Sequence, residues 1–181
     1  VEACCREVKV WMASNKLKLN DDKTEAILCG SETNLKKVTL ESVTVGNAEI
    51  PLSDTVRDLG LILDRSLTMV PHINKVVKTC FFHLRALGQL RPHLNKKTAN
   101  AVAVSLIQSR LDFCNSCLWG LPQNQLQRLQ KVQNTAARIV TRSKKTDHIT
   151  PVLRNLHWLP VPKRIDHKML SLAYGCVNDT A

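Results

Sequence analysis

The sequence predicts an α+β protein, in which a small, mostly antiparallel sheet with one helix is followed by an all-α helical bundle. Apolar residues make up 44% and charged residues 23% of the 181 residues, as in ordinary folded domains. Period-two apolar patterning dominates the later part of residues 1–64, whereas 3.6-residue periodicity dominates residues 65–181. The charge changes at the same place, from 8 basic and 11 acidic side chains to 18 basic and 4 acidic ones. We therefore predict two domains, 1–64 and 65–181.

The first domain is predicted to contain one helix and three or four strands. The helix covers residues 1–14 and ends near Asn15, and Asn20-Asp21-Asp22 has the composition of a turn. Alternating apolar residues bounded by turn residues predict the strands. The predicted strands are Thr24–Cys29, the pair Val43–Val45 and Ala48–Ile50 around a Gly46-Asn47 turn, and Val56–Leu63.

The second domain is predicted to hold about four or five helices. An apolar stripe from Ile73 to Leu87 defines the first of them, which ends at Arg91-Pro92 because the residue before a proline is disfavoured in a helix. Asn95 is a predicted N-cap of the second helix. The remaining predicted helices are Gln123–Thr141, a short one that Thr150-Pro151 opens and that runs to about His157, and Lys163–Cys176.

The surplus of positive charge predicts an acidic partner. Lys and Arg number 26 against 15 Asp and Glu, and the surplus lies in residues 65–181. Aromatic residues are only 4% of the chain, which disfavours a recognition sheet that stacks bases on exposed rings. Charge is therefore the main expected means of holding a nucleic acid.

One helix of the second domain carries a basic ridge. On a helical wheel of residues 123–141, the apolar side chains occupy one half, and the basic side chains fall within about 80° of each other on the other half. A row of long cationic side chains neutralises a phosphate backbone without reading base edges. The predicted nucleic-acid-binding residues are Arg128, Lys131, Arg138 and Arg142, extended past the helix by Lys144 and Lys145. The alternative is a solvated helix face without a ligand.

No complete catalytic or metal-binding set is present in the sequence. Cys114 and Cys117 form the only Cys-x-x-Cys pair, and they lack two further ligands at finger-like spacing, which favours two buried thiols over zinc. The histidines are interpreted as surface or packing residues. Asp54, Asp58 and Asp64 flank a strand singly, whereas phosphoryl transfer with Mg²⁺ requires converging carboxylates. We therefore predict no metal site and no self-sufficient catalytic group.

Several motifs together resemble the C-terminal part of the reverse transcriptases of non-long-terminal-repeat (LINE-type, jockey-like) retrotransposons. They cover nearly the whole chain in the order found in that family. The motifs are Trp11-Met12-x-x-Asn15-x-Leu17-x-Leu19-Asn20-x-x-Lys23-Thr24-Glu25, Leu59-Gly60-Leu61-x-Leu63-Asp64, Ser109-Arg110-Leu111-Asp112-x-Cys114-Asn115-Ser116, Gly120-Leu121-Pro122, Leu129-Gln130-x-Val132-Gln133-Asn134-x-Ala136-Ala137-Arg138, His148-Ile149-Thr150-Pro151 and Leu156-His157-Trp158-Leu159-Pro160-Val161. Cys117 stands where the family usually has an apolar residue.

The resemblance implies that residues 1–64 are the end of a polymerase palm and that residues 65–181 are the thumb and the following connection. It also implies that the aspartates that hold Mg²⁺ in an intact parent enzyme lie upstream of Val1, next to the remaining palm and fingers. The missing initiator Met agrees with a fragment. By this resemblance, the chain alone is expected to be inactive as an RNA-directed DNA polymerase.

The resemblance also gives roles to three residues of the first domain. Lys23 aligns with a lysine near the incoming nucleotide, which would act as a general acid on the leaving pyrophosphate in an intact parent. Leu59 and Gly60 belong to the primer-grip-like segment, where Gly60 would allow close approach of the backbone to the primer end. The alternatives are an ordinary surface lysine and an ordinary strand glycine.

The leading functional hypothesis is a reverse-transcriptase fragment that grips an RNA/DNA template–primer duplex independently of base sequence. Two alternatives remain open: a co-opted, non-enzymatic helical module that binds a protein partner, and a translated remnant without function. Scattered cysteines in odd number favour an intracellular protein with reduced thiols, in the nucleus or the cytoplasm. The sequence predicts neither a secretory signal nor a bilayer-spanning segment.

Overall fold

The computed structural model describes residues 2–20, 23–45 and 48–179 and confirms the α+β class. The chain divides into two compact units, Val1–Met69 and Val70–Ala181. The predicted domain boundary at residue 64 falls a few residues before this division. The turns predicted at Asp21-Asp22 and at Gly46-Asn47 lie outside the described residues.

The first unit opens with helix α1 (Glu2–Ser14), which confirms the predicted helix. The Asn15 side-chain amide donates a hydrogen bond of 2.8 Å to the Trp11 carbonyl, which also accepts from the Asn15 backbone N–H at 3.1 Å in the last turn of the helix. None of the residues of α1 is buried, and Trp11 is 61% exposed. A short helix α2 (Glu32–Leu35) follows, capped by the Ser31 side chain.

Two antiparallel hairpins form the β-structure of the first unit. Strand β1 (Ser42–Val45) pairs with β2 (Ala48–Pro51), and strand β3 (Thr55–Asp58) pairs with β4 (Leu61–Asp64). The small core of the unit includes the buried side chains of Val45, Ile50 and Leu61. The first hairpin confirms the predicted strand pair.

Two strand predictions for the first unit were wrong. Residues 56–63 do not form one strand, because Leu59 and Gly60 adopt positive φ angles of 44° and 98° and turn the chain back on itself. Such angles are typical of the two-residue turns that join antiparallel strands. Residues 24–29 do not form a strand either; Ala26 makes an isolated parallel bridge to Leu52.

The second unit is helical. Its α-helices are α3 (Val70–Leu90), α4 (Lys96–Ala103), α5 (Ser109–Asp112), α6 (Gln123–Thr141), α7 (Ile149–Asn155) and α8 (Val161–Val177). A π-helical turn, Val104–Gln108, connects α4 to α5, and short 3₁₀ helices cover Arg91–His93 and Asn115–Leu118. The Asn95 carboxamide oxygen accepts from the Thr98 N–H at 2.8 Å, which confirms the predicted N-cap.

Helices α3 and α6 lie side by side and run in the same direction. Near their N-terminal ends, Arg128 of α6 contacts Asn74 of α3, and near their C-terminal ends Gly88 of α3 approaches Ile139 of α6. Both helices also pack on α4 and on the π-helical turn. The fully buried side chains that this arrangement brings together include Ile73, Ile107, Leu129, Val132, Val140, Val161 and Ile165. Burying each of them contributes about 1.5–3 kcal/mol relative to exposure.

The short helices near the C-terminus differ from their predictions. Helix α7 begins at Ile149, so Thr150-Pro151 lies inside its first turn and Thr150 is not the cap. It ends at Asn155, because His157 has a positive φ of 56° and starts the link to α8. Helix α8 begins at Val161, two residues before the predicted start, because Pro162 fits the first turn of a helix.

Candidate nucleic-acid interface

Helix α6 separates its side chains into a buried face and an exposed face. Six of the seven apolar residues of α6 are buried: Leu126, Leu129, Val132, Ala136, Ala137 and Val140. Ile139 is half-buried. The structure places all six predicted basic residues on the opposite face or in the loop after it, where they differ in how they are held.

The three lysines have freely accessible side chains. Lys131 is exposed in the middle of α6, and Lys144 and Lys145 are exposed in the following loop. The Asp147 carboxylate accepts a hydrogen bond of 2.8 Å from the backbone N–H of Lys144, which fixes the loop without engaging the ammonium group. These ammonium groups are therefore presented to solvent at the end and along the side of one helix.

Arg128 connects the two long helices. Its Nη2 donates to the Asn74 carboxamide oxygen of α3 at 2.5 Å, and its Nη1 donates to Gln125 at 3.0 Å. Both partners are neutral amides, so these bonds orient the guanidinium without neutralising its charge. Arg128 is half-buried at the junction of α3 and α6.

Arg138 organises the loop that carries the two terminal lysines. Its Nε donates to the Lys144 carbonyl at 3.3 Å and its Nη2 to the Asp147 carbonyl at 3.1 Å. The guanidinium is half-buried by this loop. Arg138 therefore has a structural role that the helical wheel does not show. A wheel represents only the residues of the helix, whereas the contacts of Arg138 come from the loop that follows it.

Arg142 and Arg91 form a reciprocal pair that we call the arginine clamp. Arg142 ends α6 in the left-handed conformation, with φ 57°, and its Nη2 donates to the Arg91 carbonyl at 3.0 Å. The buried Arg91 guanidinium in turn donates to the carbonyls of Ile139 and Val140 at 2.7–3.0 Å. These carbonyls belong to the last turn of α6, where a helix lacks internal donors and carries partial negative charge.

The surface around the basic residues contains few acids. Helices α3 and α6 contain neither Asp nor Glu. Across residues 2–20, 23–45 and 48–179, none of the six basic side chains forms an ion pair; the pairs found there are Arg65–Asp54, Lys163–Asp166 and Arg164–Asp112. The carboxylate nearest to this face in sequence is that of Asp147, which bonds the Lys144 backbone and leaves the six basic side chains without an ion pair among the described residues.

The first-unit residues with predicted roles lie on the surface. Leu59 and Gly60 form the turn of the second hairpin, and the Leu59 side chain is 90% exposed. Lys23 is exposed, and its backbone N–H donates to the Asn20 carbonyl at 3.1 Å. The neighbouring Glu25 carboxylate accepts from the Arg57 N–H at 3.1 Å and so attaches this segment to β3.

The described carboxylates do not fit a magnesium pair. Asp54 pairs with Arg65, and the Asp64 carboxylate accepts hydrogen bonds of 2.8–3.0 Å from Thr68 and Met69. Among the described residues, no group of three or more His, Cys, Asp and Glu side chains is placed to hold a metal ion.

The prediction of two buried thiols at positions 114 and 117 was wrong. Cys114 is half-buried and Cys117 is exposed, and both are free. Cys114 adopts a left-handed conformation, φ 50°, and the 3₁₀ helix after it buries Asn115 and Leu118 instead. The buried cysteine of this unit is Cys80, where burial raises the pKa of the thiol to about 11 although the positive charge of Arg110 opposes the shift. Cys80 is therefore a packing residue at neutral pH.

His72 is also a packing residue. It is 4% exposed, and burial, aided by the positive charge of Lys75, lowers the pKa of its imidazole. Of the two interpretations of the histidines, surface or packing, the second applies to His72. His93 and His167 are exposed, and His83 is half-buried.

Sequence patterns did not reveal two buried polar residues of the second unit. Gln133 is fully buried on the otherwise apolar face of α6, where its Nε2 donates to the Leu159 carbonyl at 2.9 Å. Gln130, which lies one turn earlier on α6, accepts a hydrogen bond of 2.8 Å through its Oε1 from the Val161 N–H and thereby caps the N-terminus of α8. The sequence identifies Arg91, the centre of the arginine clamp, only as the end of a helix. A basic residue directly before a helix-ending proline was the available signal.

Comparison with known proteins adds no relatives. No family model, no curated protein and no solved structure matches this chain. In the part of the chain that the structure describes, no helix is both long enough and apolar enough to span a bilayer.

Proposed function

We propose that this chain is part of a reverse transcriptase of the non-long-terminal-repeat retrotransposon kind and that it holds an RNA/DNA template–primer duplex on the basic face of α6. The ordered motifs support the family. The observation that carries the binding role is the exposure of Lys131, Lys144 and Lys145, whose ammonium groups form no ion pair with any described residue.

The physical basis of binding is the release of counterions from the phosphate backbone. Each phosphate that a lysine or arginine neutralises frees condensed cations, so affinity falls as the salt concentration rises. The six basic residues would contact phosphates and no base edges, because an RNA/DNA hybrid has A-form geometry and its deep, narrow major groove does not admit a helix. Binding is therefore independent of base sequence.

The roles of the first unit in this proposal are those that the resemblance implies. The Leu59-Gly60 turn would support the primer end, and its exposed position at the tip of a hairpin leaves it accessible. Lys23 would serve as a general acid toward pyrophosphate in an intact parent.

The test measures binding of a fluorescently labelled RNA/DNA hybrid over a series of salt concentrations. Charge reversal at Lys131 and Lys145 is preferred over reversal at Arg138 and Arg142, because the two arginines also hold loops. Removing two phosphate contacts should lower the slope of log K against log salt by roughly 2, and it should weaken binding by roughly tenfold per contact near 0.1 M salt. The loss should be the same for hybrids of unrelated sequence.

A matched control reverses two exposed lysines of the first unit, Lys36 and Lys37. This variant has the same net charge as the test variant, so equal losses in the two variants would show that net charge alone matters. Binding that responds neither to salt nor to Lys131→Glu with Lys145→Glu would refute the proposal.

A second candidate function, a helical module that binds a protein, is favoured by the C-terminal half of α8. Leu170, Tyr174 and Val177 are 70%, 69% and 82% exposed and lie on one side of this helix, beside a shallow groove. A partner captured on the intact chain after nuclease treatment, and lost on Tyr174→Ala, would support this function.

A further inference from the structure

Helix α3 carries a second cationic stripe, which surrounds an exposed aromatic ring. Phe82 is 69% exposed, and Lys75, Lys78 and Arg85 are exposed as well. At 100° per residue these four side chains fall within about 80° of each other, so they share one face of the helix. We call them the α3 stripe.

The spacing places charge on both sides of the ring. With a rise of about 1.5 Å per residue, Lys78 lies about 6 Å before Phe82 along the axis and Arg85 lies about 4.5 Å after it. An edge-to-face contact holds the ring, since the centroids of Phe82 and His83 are 5.4 Å apart with an interplanar angle of 75°. The ring is thus supported by a neighbour and remains open to a ligand.

The α3 stripe lies beside the basic face of α6. Both helices pack their buried faces on α4 and the π-helical turn, so both exposed faces point away from the same core. The Arg128–Asn74 hydrogen bond closes the junction between them. A strand that leaves α6 therefore meets the α3 stripe without crossing an acidic surface, because neither helix contains an acid.

We propose that the α3 stripe binds unpaired nucleotides, with a base stacked on Phe82 and the flanking phosphates held by Lys78 and Arg85. This inference rests on the proposed function of α6 and adds a single-strand site to it. Every base has a π-face, and stacking on an aromatic side chain is tolerant of sequence. An apolar protein surface fits this face less well, because covering Phe82 would remove water from three cations that have no acid of their own helix to pair with.

The test uses the full chain and three probes: a short single-stranded oligonucleotide with 2-aminopurine, a blunt RNA/DNA hybrid, and the same hybrid with a single-stranded overhang. Stacking should quench 2-aminopurine fluorescence on binding. Phe82→Ala should abolish the quenching and weaken binding of the single strand and the overhang by roughly 5- to 150-fold, the range found for one stacked base. Phe82→Tyr should retain both, and the affinity for the blunt hybrid should not change.

Tyr174→Ala is the matched control, because Tyr174 on α8 is also 69% exposed. Equal effects of the two alanine variants, or full affinity and quenching with Phe82→Leu, would overturn the single-strand site. Self-association that Phe82→Ala abolishes without changing single-strand binding would overturn it in favour of a protein contact. Salt-dependent binding of the blunt hybrid, together with single-strand and overhang binding that Phe82→Ala does not weaken, would refute this inference alone, whereas absence of hybrid binding would refute the proposed function.

Discussion

Replacing Arg91 with Met should destabilise the second unit strongly, because Arg91 is buried and Met cannot donate to the carbonyls that it bonds. Its guanidinium makes four hydrogen bonds of 2.6–3.0 Å to the carbonyls of Leu94, Ile139 and Val140. Met retains much of the apolar contact but no donor. At about 1 kcal/mol for each of the three acceptors, the free energy of unfolding should fall by about 3 kcal/mol. For a unit of roughly 110 residues this corresponds to a decrease in Tm of roughly 10–15 °C.

The assay is thermal and urea unfolding followed by far-ultraviolet circular dichroism. Arg91→Lys should lie between the wild type and Arg91→Met, because an ammonium group lacks the planar fork that reaches three carbonyls. Arg85→Met on the preceding helix α3 is the control, since Arg85 is exposed, and it should change stability by less than about 0.5 kcal/mol. If Arg91→Met were as mild as this control, the arginine clamp would not stabilise the unit. A cooperative transition of the wild type would also argue against the hypothesis of a remnant without a stable fold.

Two further predictions concern the first unit. Gly60→Ala should destabilise the second hairpin by about 1–2 kcal/mol, because an alanine at the φ of 98° is strained, and faster amide hydrogen exchange in β3 and β4 would show it. Asp64 is partly buried, which raises its pKa, but hydrogen bonds from Thr68 and Met69 outweigh this and hold the pKa below its ordinary value. Its stabilising contribution should therefore be complete above the unfolded pKa of about 3.9 and disappear as the pH falls through the lower folded value. An NMR titration midpoint at or above 3.9, followed on the amides of Thr68 and Met69, would contradict this.

Apolar periodicity predicted the long helices more reliably than the short elements. Apolar periodicity over nineteen positions is sufficient to define α6, and the structure has the predicted bounds Gln123–Thr141. The short segment 56–63 has the composition of a strand throughout. Its turn depends on Leu59 adopting a positive φ, which is uncommon for leucine and leaves no local signal except the following glycine.

The candidate site was only partly predictable, for a similar reason. The positions of the basic residues on α6 follow from helical geometry alone. The bonds of Arg138 and Arg142 to backbone carbonyls depend on chain that returns from outside the helix, which no local pattern encodes. The α3 stripe is not evident from the apolar pattern of α3, because that pattern assigns the basic residues only to the polar side of the helix.

The arginine clamp determines how Arg142 would bind a phosphate. One nitrogen of Arg142 is anchored to the Arg91 carbonyl, and a guanidinium has five N–H donors, so several remain for a ligand. The anchored group has already lost much of its rotational freedom during folding, whereas Lys144 and Lys145 must still lose theirs when they engage an anion. The basic face therefore combines the pre-ordered guanidinium of Arg142 with the flexible side chains of Lys144 and Lys145, which can adjust to a nucleic-acid backbone of varying curvature.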